Sequence, residues 1–223
     1  MWKRPENVHL TKNATLWGWN GISPVAAEEG DVQDSWLLNA AAALAEWPER
    51  IQNIFTNQQF SAEGIYELTF FVKGIANQVV IDDRLAMDSN QMPLNARETK
   101  SDALWLILLE KAFAKLNVNY ANLEDGHVQE ALRILTGLPV FTYKTKQYTE
   151  IELNNRITYG SKQNFTMTAQ CSKSKYGLLK GKIYTILSAV AIHENDQVLE
   201  KLIKMRIPIG DETYEGPWNF NDK

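Results

Sequence analysis

The sequence predicts an α+β fold in which a helix-rich first part precedes a β-rich second part, and two observations carry that reading. Through residue 138 apolar residues recur at helical spacing in three stretches, broken by one pair of β-branched runs. From Val140 onward the pattern changes to short β-branched and aromatic runs separated by polar segments. With 223 residues, 44% of them apolar and 22% charged, the chain has the composition of an ordinary globular protein with a real core.

The first helix is predicted from Ser35-Trp36-Leu37-Leu38-Asn39, the alanine run 40–43 and Leu44, which are apolar almost all round, as in a helix buried on every side. Asp34 or Ser35 is placed to cap its N-terminus. The runs Ile65 to Val72 and Gln78 to Asp82, joined through Gly74 and Asn77, predict a hairpin. A second helix is predicted over Ala103 to Leu116, where Leu104, Trp105, Leu108, Leu109, Ala112 and Leu116 repeat at helical spacing. A third, His127 to Leu135, stops at Gly137 and Pro139. Beyond it, Val140 to Tyr143, Phe165 to Thr168, Lys182 to Ile192 and Leu199 to Ile207 read as strands, and no further helix of comparable length is expected. The polar stretch Lys144 to Gln163 reads as a connection. These patterns divide the chain into residues 1–138 and 139–223.

Charge and composition narrow the function classes. The net charge is -4 and no Lys/Arg stripe interleaves with aromatics, so nucleic acid is not an expected partner. No run of 18 apolar residues occurs and MWKRPENVHL has no apolar h-region, which predicts neither a membrane span nor secretion and makes the cytoplasm the expected location. Seven Trp, eight Tyr and eight Phe supply core first and contact surface second, Trp17 and Trp19 included. The single cysteine, Cys171, excludes an internal disulfide and a thiolate zinc site, and reads as a small buried residue. His9, His127 and His193 are scattered, as structural or solvated histidines are, rather than spaced as ligands.

Several strings then occur together. Trp2-Lys3-Arg4-Pro5, Glu29-Gly30 with Asp34-Ser35-Trp36-Leu37-Leu38, Val80-Ile81-Asp82-Asp83-Arg84-Leu85, and Trp105 with Leu108 to Lys115 lie in the first half. Gln170-Cys171-Ser172, Gly177-Leu178-Leu179-Lys180-Gly181 and Glu215-Gly216-Pro217-Trp218-Asn219 follow. In kind and order they resemble the protease core of the calpain family of papain-like cysteine proteases. The resemblance implies a papain-like fold with a helical subdomain and a β-rich one. It also implies a cysteine nucleophile at a helix N-terminus, a histidine base and an orienting asparagine.

At the matching positions this sequence carries other residues. Ser35 stands for the nucleophile, Lys182 follows the Gly177-to-Gly181 string where the family has histidine, and Ile207 precedes Pro208-Ile209-Gly210 where it has asparagine. Glu29 occupies the place of the oxyanion-hole glutamine, and a carboxylate there repels a developing oxyanion. A serine hydroxyl lacks a thiol's acidity, so thiolate chemistry is absent. The resemblance also implies a calcium site, for which Gly21 fits a carbonyl ligand and Glu130 a carboxylate, while the aspartate position is Ala26. Losing a charged ligand predicts that calcium is not required, and no cofactor is expected.

The expected function is a catalytically inactive calpain-like domain, serving as a scaffold or interaction module for other proteins in a larger assembly, with a cytoskeletal or ciliary (axonemal) setting suggested by the family. Two alternatives stand beside it: a residual hydrolase with a Ser35/Lys182 dyad, and a dead-protease regulator that binds peptides in the cleft. A Glu29–Lys182 ion pair would suit the inactive reading.

Overall fold

In the computed structural model of the chain, residues 1–8, 14–24, 27–90, 92–98, 102–194, 197–207 and 214–219 are described, and the chain divides into two compact units, Met1–Phe141 and Thr142–Lys223. In the first unit the order is β1 (Trp2–Lys3), β2 (Ala27–Glu28), α1 (Ser35–Ala45), α2 (Pro48–Gln52), β3 (Ile65–Val72), β4 (Ile75–Asp82), β5 (Leu85–Ala86), β6 (Arg97–Glu98), α3 (Trp105–Leu116) and α4 (Val128–Thr136). The predicted helices are therefore present with ends shifted by a residue or two, and so is the hairpin, whose second strand starts three residues earlier than expected, at Ile75, with Asn77 paired in it rather than in the turn.

Helix α1 is buried from Leu37 to Ala45, and its alanines give α2, α3 and α4 close approach. The β3–β4 hairpin is in full register from Ile65↔Asp82 to Val72↔Ile75. Its two turn residues, Lys73 and Gly74, both have positive φ (53° and 80°), which matches the twist of the paired strands. One face of the hairpin buries Tyr66, Leu68, Phe70, Val79 and Ile81 against the helices. At the centre of this core Phe113 meets both Phe70 (5.6 Å) and Trp36 (5.7 Å) edge to face.

Two ion pairs hold the hairpin's end. Arg4 donates from Nε and Nη2 to the Asp83 carboxylate, itself 2% exposed, and the pairing raises the Arg4 pKa. Burial opposes ionisation of Asp82, but the Lys111 ammonium and the Arg84 amide outweigh it and lower its pKa.

The second unit contains α5 (Glu150–Lys162), β7 (Met167–Gln170), β8 (Ile183–Glu194) and β9 (Gln197–Arg206), the strands forming one antiparallel sheet in the order β7-β8-β9. Helix α5 packs on β8. It corrects the sequence expectation of a connection over Lys144 to Gln163. The helix is polar, with Gly160 its one buried residue, so apolar periodicity does not reveal it. Its start signal is a capping box: Thr149 Oγ1 accepts from the Glu152 amide and the Glu152 carboxylate accepts from the Thr149 amide. Thr149→Ala is expected to cost about 1 kcal/mol, read as a lower midpoint in urea unfolding.

Two further readings change. Val140 to Tyr143 forms no strand: the Val140 carbonyl accepts from Arg133 instead, and Tyr143 packs edge-on against Tyr148 with the Arg156 guanidinium over both rings (4.7 and 4.9 Å). Cys171 is half-buried rather than buried, its Sγ donating to the Lys173 carbonyl at 2.9 Å.

Candidate functional site

The N-terminus of α1 is fixed from three sides. Ser35 is its first residue and half-buried, and Asn39 Nδ2 donates to the Ser35 carbonyl at 2.6 Å. The next residue, Trp36, donates from Nε1 to the Leu123 carbonyl (2.7 Å), and its ring lies on Gly126, where a Cβ would come within 2.0 Å of it. The incoming loop is pressed against a second loop: the Asp31 amide donates to the Leu94 carbonyl (2.8 Å), and Gly30 lies so close that a Cβ would be 2.2 Å from the same oxygen. Amide groups at the helix start place a partial positive charge beside Ser35, the setting that lowers the pKa of a thiol but leaves a hydroxyl protonated.

Asp34 does not cap this helix with its side chain, contrary to the sequence reading. The carboxyl turns inward, is fully buried, and neither oxygen accepts a hydrogen bond. There its charge acts on Glu110, the buried carboxyl of α3, whose Oε2 accepts from the Ala96 amide at 2.7 Å while Oε1 has no donor. Burial, reinforced by the Glu29 charge, pushes the Asp34 pKa up to about 7. Burial and the Asp34 charge likewise raise that of Glu110 well above the carboxylate range, against hydrogen bonds from Ala96 and Asn95. Burial, with Glu110 next, also raises the Tyr120 phenol. Sequence reasoning missed Glu110, Asn95 and Tyr120. A signal was present for Glu110, since it falls three residues before Phe113 on the buried stripe of an apolar helix.

The first unit therefore positions Ser35, Asp34 and Glu29, the last half-buried in the loop before α1. In the second unit Lys182 immediately precedes β8 and Ile207 immediately follows β9; because Thr185 pairs with Arg206, both lie at one end of the β8–β9 ladder. Lys182 is exposed and Ile207 half-buried.

A model of the calpain family of cysteine proteases matches residues 1–223. The chain belongs to the calpain family. It is similar to the calpain-type cysteine protease ADL1 of Oryza sativa subsp. japonica, 31% identical over 98% of this chain and 10% of that protein. It is also similar to DEK1 of Zea mays, described likewise, at 31% over 86% of this chain and 9% of that protein. To the human calpain-2 catalytic subunit it is 29% identical over 99% of this chain and 32% of the subunit. The chain thus spans between about a tenth and a third of the relatives it matches.

Within this calpain-family chain the calcium positions can be placed in part. Gly21 closes a turn, its amide donating to the Gly18 carbonyl, and Ala26 lies outside the described residues. Glu130, in the first turn of α4, lines a shallow groove of about 470 Å³ that also contains Lys73 and Arg133. Lys73 and Arg133 line that groove with Glu130, and among the described residues no three His, Cys, Asp or Glu side chains converge on one point.

Of the other residues the sequence singled out, His9 lies outside the described residues, His127 occupies the N-cap of α4 without a side-chain cap, and His193 is exposed on β8. Trp17 donates to the Gln58 carbonyl and packs on Phe55 (5.2 Å), whereas Trp19 is 75% exposed. Among the described residues no helix is long and apolar enough to cross a membrane.

Proposed function

We propose that this calpain-family domain is catalytically inactive and acts as a scaffold or protein-interaction module in a larger assembly, a cytoskeletal or ciliary one being the first setting to test. The observation that carries this reading is the occupant of the nucleophile position: Ser35 stands at the start of α1, with a hydroxyl where the chemistry needs a thiolate. Lys182, Ile207 and Glu29 replace the base, the orienter and the oxyanion donor, so four separate requirements fail together. Exposed Trp19 in the first unit and Trp218 (51% exposed) in the second are the kind of aromatic surface that protein contacts use.

The Ser35/Lys182 hydrolase is the weaker reading, because Lys182 is exposed and lacks the apolar burial that makes a lysine a general base. A peptide-binding regulator would use the same inactive domain. The test is cleavage of a denatured protein substrate with calcium and reductant. The full-length protein and its Ser35→Cys variant are both expected to give no cleavage, since restoring the thiol alone leaves it without base or oxyanion donor. Cleavage that disappears in Ser35→Ala would overturn the proposal.

A further inference from the structure

We propose that Asp34 and Glu110 hold one proton between them, and that this shared proton clamps the turn leading into α1, and so Ser35, onto α3. The geometry requires some such arrangement. Both carboxyls are buried, and three of their four oxygens have no donor: Asp34 Oδ1, Asp34 Oδ2 and Glu110 Oε1. Two ionised carboxylates facing one another in a dry interior repel one another and forgo their hydration, whereas a protonated one supplies the missing donor.

Among the described residues, the groups around the pair offer no counter-charge. Glu29 faces it from the loop before α1, Tyr120 from the 3-10 turn Tyr120–Leu123, and Asn95 and the Ala96 amide from the loop before β6. Asp82, at the end of β4, adds a further negative charge at Tyr120. The nearest cations on α3 are engaged elsewhere, Lys111 with Asp82 and the Arg84 carbonyl, Lys115 with the Val80 carbonyl. Glu110 also holds the Ala96 amide, and the adjacent Leu94 carbonyl holds Asp31. One proton thus joins α3, the Leu94–Ala96 loop and the turn before Ser35.

The pH dependence has a definite sign. Unfolded carboxyls titrate near about 4, while burial pushes folded Asp34 up to about 7 and Glu110 above its ordinary range. Between those limits the folded chain binds more protons than the unfolded one. The stabilisation is complete below about pH 4 and is then lost as one proton leaves when pH rises through 7 and the shared one at higher pH, by about tenfold in the folding equilibrium per pH unit for each extra proton held.

The experiment is urea unfolding of the full chain from pH 5 to 9, followed by tryptophan fluorescence, with an infrared spectrum of the wild type in D2O at pH 6. The expected result is a midpoint that falls as pH rises, a flatter dependence in Glu110→Gln, and a protonated-carboxyl C=O band that both Asp34→Asn and Glu110→Gln remove. A wild-type spectrum without that band overturns the proposal even if the variants fail to fold. So does a Glu110→Gln variant that keeps the full pH dependence of the wild type.

Discussion

Phe113→Ala is expected to lower the stability of the first unit by about 3–5 kcal/mol, a large share of the roughly 5–15 kcal/mol that holds a domain folded. The ring is fully buried on α3 and meets Phe70 from the hairpin and Trp36 from α1. Its removal leaves a cavity where three elements converge and strips two edge-to-face contacts in addition to the transfer loss. Urea unfolding read by tryptophan fluorescence measures it directly, because Trp36 is itself one of the neighbours. Phe113→Leu, which refills most of the volume, should recover more than half of the loss.

Gly30→Ala is the second large effect, and it acts by crowding. A Cβ at residue 30 would lie 2.2 Å from the Leu94 carbonyl oxygen and 2.6 and 2.7 Å from the Asn95 carbonyl carbon and oxygen. All three are backbone atoms, so no side chain can swing aside. The two loops must part, which breaks the Asp31–Leu94 hydrogen bond and draws Ala96 from Glu110. The expected cost is about 3 kcal/mol, at the upper end for overpacking. Hydrogen exchange should show the Asp31 and Ala96 amides losing protection before the rest of the unit.

Much of the first unit was legible because its helices carry apolar side chains where burial needs them. The alanine run of α1 and the Leu, Trp and Phe stripe of α3 leave little choice of partner face. Helix α5 was not legible in that way: it buries only Gly160, and its evidence is the short polar signal Thr149-Glu150-Ile151-Glu152. Asp34 shows a different limit. An acidic residue before an apolar run is the ordinary sign of an N-cap, and local rules stop there. Its inward turn sets it against Glu110, which only the tertiary fold brings near. The start of α1 could be read directly, because Ser35 is placed by the apolar residues that follow it in sequence and by the helix they form.

The inactive reading rests most directly on Ser35, and intact-mass analysis of the native full-length protein after exposure to a fluorophosphonate probe tests it. The predicted result is no adduct at any time point, because Lys182, at the position of the base, is exposed. A stoichiometric adduct on Ser35, absent in Lys182→Ala, would contradict it and establish a serine hydrolase.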